Sequence, residues 1–203
     1  MAEESFTDAI ALLKADHRKV EGLFEQFAAA AAGTKAKLAR QICTELKIHT
    51  TIEEEIFYPA FRGKIEDDTL DEAHVEHDGA KVLVNDIEAG SPEDDFYDAK
   101  VTALFEEIKH HVHEEEMPSE GMFAQCRKTD VDLVALRDLM VSRKQELMLQ
   151  AEREGLPPAA RALAEQGERL ALSLLDVEPG EERAVAAALV LVASCTGLKA
   201  DDP

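Results

Sequence analysis

Histidine and glutamate side chains recur in this sequence at a spacing that suits metal binding. The pattern is a single histidine, then a later histidine with a glutamate four residues after it, and it occurs twice. The six residues are His17, His49 and Glu53 in the first copy, and His77, His111 and Glu115 in the second. Residues four apart share a face of an α-helix, with Cβ atoms about 5–6 Å apart, so both can reach one metal cluster. The spacing therefore predicts chelation from helices.

These polar residues fall on apolar helical stripes. His49 and Glu53, for example, lie in register with Ile42, Leu46 and Ile56, and the other three histidines have similar surroundings. One histidine on such a stripe is often a hydrogen-bonded core residue. Burying an unsatisfied polar group costs about 2–7 kcal/mol, so six of them in one core need shared partners. Metal ions would supply those partners.

The donor set favours two ions. Four imidazoles and two carboxylates exceed what one ion draws from protein if it keeps an open position. We therefore assign Glu53 and Glu115 as bridging ligands and the histidines as terminal ligands. Nitrogen and oxygen donors without thiolate suit iron, with manganese or zinc as less favoured occupants.

The elements that position these residues are predicted to be helices. Apolar residues recur at three- and four-residue steps, and strand-like alternation is absent, so the chain is all-α. Helices are expected over residues 5–32, 35–60, 68–89, 91–118 and 129–154, with Gly33 closing the first and Ser91 capping the fourth. Corresponding histidines of the two copies are 60 and 62 residues apart, which indicates duplicated helix hairpins forming a four-helix bundle.

The chain divides into three predicted parts. Residues 1–127 form the metal-binding bundle, residues 128–154 a fifth helix packing on it, and residues 155–203 a helical tail of unknown role. The tail contains two amphipathic segments separated by Pro179 and Gly180. We expect these additional helices to pack on the bundle or on a second subunit, so monomer and homodimer both remain open.

Composition narrows the function classes. A formal net charge of −21 argues against nucleic-acid partners, because a polyanion requires Lys and Arg from its partner. Three widely spaced cysteines without a CxxC pair suggest neither a disulfide framework nor a thiolate zinc site. We find neither a secretory signal nor an apolar run long enough to span a membrane. A cytoplasmic protein is expected.

Four segments around the ligands resemble the hemerythrin family, specifically its bacterial HHE cation-binding domains. The resemblance covers roughly residues 6–150. The segments are residues 14–17 (Lys-Ala-Asp-His), 49–59 (His-Thr-Thr-Ile-Glu-Glu-Glu-Ile-Phe-Tyr-Pro), 75–77 (Val-Glu-His) and 110–115 (His-His-Val-His-Glu-Glu). This resemblance implies an up-down four-helix bundle with a non-haem di-iron centre, bridged by two carboxylates and an oxo or hydroxo group. Carrier members of the family bind dioxygen there reversibly.

The sequence departs from the oxygen carriers, which surround their irons with five histidines. Four residues either side of His77 stand Ala73 and Lys81, so neither supplies a fifth imidazole. His74 is a possible substitute, being about 60° from His77 on the same helix. His110 and His113 should face away from the site. The second copy also lacks the Phe-Tyr-Pro ending of the first.

Three functions fit this prediction. The centre could bind dioxygen, peroxide or nitric oxide and release it unchanged. It could instead be a redox enzyme that decomposes peroxide or reduces nitric oxide. It could also sense or handle iron through coupled binding and folding. The sequence does not decide whether the protein is an enzyme, and it assigns no catalytic residue beyond the metal ligands.

Overall fold

The first helix, α1 (Ala9–Ala29), begins where Asp8 accepts a hydrogen bond from the Ala11 backbone N–H at 2.9 Å. Such a cap satisfies a donor that would otherwise lack a partner in the first helical turn. The computed structural model describes residues 6–161, and every regular element in that range is helical. The all-α prediction is confirmed for these residues. The helices predicted beyond residue 161 lie outside the described residues.

A second helical stretch carries two of the predicted ligands. It comprises α2 (Ala32–Ile52), a π-helical turn (Glu53–Phe57) and the short helix α3 (Tyr58–Phe61). The prediction that Gly33 ends the first helix is wrong, because α1 ends at Ala29 and Gly33 lies in the first turn of α2. With its neighbours in helical geometry, Gly33 acts as an ordinary helical residue there.

The second pair of ligand-bearing helices is α4 (Asp67–Ala89) and α5 (Tyr97–Glu116). The predicted cap at Ser91 is wrong. Ser91 and Asp94 form a turn in which the Ser91 N–H donates to the Asp94 carboxylate at 2.8 Å. The helix begins only after Phe96, whose φ of 66° is left-handed. An exposed aromatic residue in this conformation carries no signal that sequence periodicity could detect.

These four long helices contact one another in a closed ring, in the order α1, α2, α4, α5 and back to α1. After α5 the chain forms α6 (Met122–Cys126) and then α7 (Leu133–Glu154). Helix α7 packs outside the ring against α1, α2 and the π-helical turn. Its inward residues Leu136, Met140 and Leu147 are buried.

Two hydrophobic clusters fill the interior. One cluster contains Leu13, Ile52 and Phe57 and lies at one end of the ring. Residues of α6 and α7 also belong to this cluster. The other holds Val20, Leu46 and residues from α4 and α5. Between these levels each long helix contributes a buried histidine, so the polar side chains form a layer between two apolar ones. Within residues 6–161, no helix is both long and apolar enough to cross a membrane.

Candidate metal centre

The structure brings six of the predicted ligands together in this layer. All are at most 5% exposed, and Glu53 is fully buried. They come from four helical stretches, with His17 on α1, His49 on α2, His77 on α4, and His111 and Glu115 on α5, while Glu53 begins the π-helical turn. The apolar stripes thus place them in the core, as their helical registers require.

The histidines form two pairs. The Nε2 atoms of His17 and His49 are 3.1 Å apart, and those of His77 and His111 are 3.2 Å apart. Glu53 Oε2 lies between the pairs, 3.1 Å from His49 Nε2 and 3.4 Å from His77 Nε2. Two clusters that could each hold a metal ion therefore share Glu53.

Glu115 spans the same two pairs with its two oxygens. Oε2 lies 3.4 Å from His17 Nε2, and Oε1 lies 3.6 Å from His111 Nε2. A carboxylate in this position can bind one ion through each oxygen. Both glutamates are therefore suited to bridging two ions. Each ion would also contact one of the two histidine pairs.

The donor set fits cations. Glu53 Oε1 and Glu115 Oε2 are buried and accept no hydrogen bond. Apart from the imidazoles, Tyr58 is the one side chain among residues 6–161 that donates a hydrogen bond to these carboxylates. One hydroxyl proton cannot satisfy two carboxylates and four imidazole nitrogens. Bound cations would supply the missing partners, since a buried carboxylate without a partner is strongly unfavourable.

Each histidine also has a carboxylate beside its outward nitrogen, Nδ1. Three of these contacts are hydrogen bonds of 2.8–2.9 Å, and the fourth is a 3.7 Å ion-pair contact between His49 and Asp16. The four partners are Glu116 for His17, Asp16 for His49, Glu54 for His77 and Glu76 for His111. Such partners fix the imidazole orientation and keep the proton on Nδ1, which leaves Nε2 free to bind metal.

Every one of these outer carboxylates is adjacent in sequence to a predicted ligand. Asp16 and Glu76 precede His17 and His77, and Glu54 and Glu116 follow Glu53 and Glu115. Asp16 and Glu76 each serve a histidine of their own hairpin, while the other two serve the opposite hairpin. The sequence shows an acidic residue before His17 and before His77, and another after each candidate glutamate, but the role of these carboxylates depends on which helices are neighbours.

Tyr58 was not predicted as a site residue. It is 1% exposed, and its hydroxyl lies 3.2 Å from His77 Nε2, 3.4 Å from Glu115 Oε1 and 3.5 Å from Glu53 Oε2. Burial, with the Glu53 and Glu115 carboxylates, raises the pKa of Tyr58 well above its usual range. In the metal-free protein this residue therefore keeps its proton and serves as a neutral donor.

The π-helical turn explains why Tyr58 was missed. Five residues along an α-helix correspond to a rotation that places two side chains about 140° apart. Here the Tyr58 backbone N–H donates to the Glu53 carbonyl, five residues back, so the two residues come close to the same face. Pro59 follows directly and has no N–H to donate. Proline at this position was a sequence signal of the irregular turn.

The remaining histidines lie outside the cluster. The structure does not bring His74 into either of the two buried groups of candidate ligands. Its ring packs edge-on against Tyr58, with centroids 5.1 Å apart, and its buried Nδ1 has no hydrogen-bond partner. His110 has a side chain that is 65% exposed, and His113 is also exposed. The latter two positions agree with the predicted outward orientation.

A small cavity adjoins the layer on the side away from Tyr58. It is lined by the four histidines together with Asp16, Val20, Leu46, Thr50, Ile108 and Val112. The cavity has room for about one water molecule. A groove between α1 and α5 opens to the surface and shares His17, Ile108 and Val112 with the cavity. Ile108 and Val112 thus separate the site from solvent.

Without metal, His49 and Glu115 retain protons at neutral pH, whereas His17 does not. Burial lowers the pKa of His17 to about 4. Burial acts in the same direction on His49, but the carboxylates of Glu53 and Asp16 outweigh it and raise the pKa of His49 to about 10. Burial and the Glu53 charge raise the pKa of Glu115 to about 8. Cations that bind here would have to displace these protons.

A helical bundle with buried histidine and carboxylate clusters defines a helical, cation-binding protein. The hemerythrin HHE cation-binding domain matches residues 8–120, more than half of the chain, so the protein belongs to this family. A solved structure of a hemerythrin HHE cation-binding domain-containing protein from Mycobacterium kansasii is similar in fold, with a TM-score of 0.61 at 20% identity. The similarity covers 74% of this chain and 96% of that one. No curated protein matches the sequence.

Proposed function

We propose that this protein binds two iron ions in the buried cluster and takes up a small ligand there, namely dioxygen, peroxide or nitric oxide. The observation that carries the proposal is the shared position of Glu53, whose Oε2 lies within 3.4 Å of one histidine from each pair. Glu115 repeats this arrangement through two oxygens. Two bridging carboxylates favour two ions over one.

Iron is the proposed metal because the donors are nitrogen and oxygen only. Both described cysteines, Cys43 and Cys126, are buried outside the candidate metal clusters. Manganese and zinc accept similar donors, so metal availability also matters. Two free thiols are also compatible with a reducing compartment, which supports the proposed cytoplasmic location.

The size of the cavity supports a small ligand. The space beside the four histidines admits about one water-sized molecule, and Ile108 and Val112 close it toward the groove. A diatomic gas or peroxide is of suitable size, whereas an organic substrate would not fit without rearrangement. Bound iron would supply an electrophilic position and a change of oxidation state.

The proposal is tested by elemental analysis and an optical spectrum of the purified full-length protein. We expect close to two iron ions per chain and absorption bands that change when oxygen or peroxide is added to the reduced protein. One ion per chain, or zinc alone after growth in iron-rich medium, would contradict the di-iron proposal. A long-lived oxygenated spectrum that reverses under vacuum would identify reversible binding.

A redox enzyme is the second candidate, and Tyr58 favours it. Decomposing peroxide or reducing nitric oxide requires protons at the site, and the Tyr58 hydroxyl is a buried proton donor in contact with His77 and both glutamates. A protein that only stores a ligand has less need of such a group. Sustained oxygen release from added peroxide would support this function.

A further inference from the structure

Helix α7 reaches the candidate metal centre, although it lies beyond the residues that match the family. Its Lys144 ammonium forms an ion pair with Asp16 Oδ1, and the two side chains are only 12% and 7% exposed. Asp16 precedes the candidate ligand His17 on α1. An ion pair this well shielded from solvent is stronger than one at the surface, since screening by water is reduced.

The second oxygen of Asp16 faces His49. Asp16 Oδ2 lies 3.7 Å from His49 Nδ1, and both atoms are buried without a hydrogen-bond partner. The corresponding contacts of His17, His77 and His111 are 2.8–2.9 Å. His49 is therefore the one candidate histidine ligand whose outward nitrogen is not yet tightly held, and Asp16 is the group placed to hold it.

Lys144 is also the one Lys or Arg side chain among residues 6–161 that pairs with Asp16. Without it, the Asp16 carboxylate would be buried with no cation except the His49 ring. Removing one member of a buried ion pair is costly because it leaves an uncompensated charge. Asp16 would then turn away, gain a proton or admit water, and each change would weaken its contact with His49.

We propose that Lys144 is a positioning residue of the metal centre: it orients the Asp16 carboxylate toward His49 and so directs His49 Nε2 at the metal. This inference rests on the proposed binding of two ions. The contact of Lys144 with Asp16 makes α7 part of the metal site, and its loss would affect the two ions unequally. The ion between His17 and His49 depends on α7, whereas the ion between His77 and His111 does not.

The ion between His77 and His111 has a corresponding supporting lysine within the four-helix ring. Lys81 lies 2.7 Å from Glu54 Oε1, and Glu54 accepts a hydrogen bond from His77 Nδ1 at 2.9 Å. Lys81 is on α4, which is one of the four helices that form the ring. Support for His77 therefore comes from the bundle itself, while support for His49 comes from the helix added after it.

The test measures how fast iron leaves the loaded, full-length protein in excess chelator. In Lys144→Met we expect one of the two ions to leave about tenfold faster, at the lower end of the effects of removing a ligand's supporting group. The other ion should leave at the wild-type rate. Lys144→Arg keeps the charge and should restore most of the difference. In an Asp16→Asn background, Lys144→Met should have no further effect.

The matched control is Arg143→Met. Arg143 is the preceding residue and holds α7 to Glu55 at 2.7 Å, without contacting Asp16. Equal acceleration in Arg143→Met and Lys144→Met would mean that α7 docking alone matters, and would overturn the inference. The inference would also be overturned if Lys144→Met released iron at the wild-type rate, or if both ions left faster by the same factor. A wild-type protein that binds no iron would instead refute the proposed function on which the inference rests.

Discussion

The Nε2 atoms of His77 and His111 lie 3.2 Å apart, and the Nδ1 atom of each ring is hydrogen-bonded to a glutamate. With the proton on Nδ1, each Nε2 presents a lone pair to the other. Two lone pairs at this distance repel each other unless a cation or an extra proton lies beside them. The Nε2 atoms of His17 and His49 are equally close, at 3.1 Å, so metal removal should change the energetics of the whole layer.

The metal-free protein should become less stable as the pH rises. The pKa values of Glu115 and His49 are raised from 4.5 and 6.5 to about 8 and about 10. A raised pKa stabilises the fold at low pH, and this contribution is lost as the pH rises through the folded-state value. The free energy of unfolding of the metal-free protein should therefore decrease between about pH 7 and pH 10.

His17, whose pKa is lowered to about 4, acts in the opposite direction but only below its ordinary value of 6.5. Urea unfolding of chelator-treated and iron-loaded protein across this range tests the prediction. The loaded protein should not show the alkaline decrease, because metal replaces the protons on these atoms. Parallel pH profiles for both forms would contradict it.

Two histidines on the same helix provide a direct test of which residues bind metal. His111 is 4% exposed and belongs to a candidate cluster, whereas His113, two residues later, is exposed. We expect His111→Ala to lose at least one ion, while His113→Ala keeps the wild-type content. Glu53→Ala should lose more metal than His111→Ala, because Glu53 contacts both histidine pairs. Equal metal content in the three variants, measured by elemental analysis, would refute the assignment.

Replacing Tyr58 by Phe should decrease peroxide turnover without changing the metal content. The ring remains to fill the core, so we expect metal content to be unchanged. Peroxide turnover should decrease about 10²-fold, the usual order of effect for loss of a proton donor. Tyr97→Phe is the matched control, since Tyr97 is also buried but belongs to the other hydrophobic cluster. If turnover in Tyr58→Phe equals that of Tyr97→Phe, the hydroxyl is not the proton donor.

Enlarging Val112 should slow ligand entry. Val112 lines both the surface groove and the inner cavity, so Val112→Phe is expected to narrow the passage between them. The association rate of nitric oxide or oxygen with the reduced, iron-loaded protein, measured by stopped-flow absorbance, should fall several-fold. Val82→Phe, on an exposed part of α4, should leave the rate unchanged. An unaffected rate in Val112→Phe would indicate entry by another route.

Helical periodicity was sufficient to predict the all-α fold and the convergence of six polar residues. His17, His49 and His77 lie on regular helices, where position along the sequence determines which face a side chain occupies. The start of α5 could not be predicted, because it depends on the left-handed backbone of Phe96. Tyr58 was missed for a similar reason, since periodicity assumes an uninterrupted α-helix.

The outer carboxylates required knowledge of helix packing. Glu54 and Glu116 each hold a histidine from the opposite hairpin, and the sequence does not state how the hairpins pair. The role of Lys144 depends on where α7 docks, which is a still longer-range property. Local patterns thus predict which residues point inward, whereas the contacts that support them arise from tertiary structure.

The π-helical turn at Glu53–Phe57 amounts to one extra residue inserted in the first half of a duplicated pattern. Helix α5, its counterpart, ends at Glu116, one residue after Glu115, and has no such turn. Two halves with the same order of ligands therefore build a centre with distinct ends, and within residues 6–161 a phenol adjoins only the position beside His77. An electron added to a pair of ions held there would not be shared equally between them.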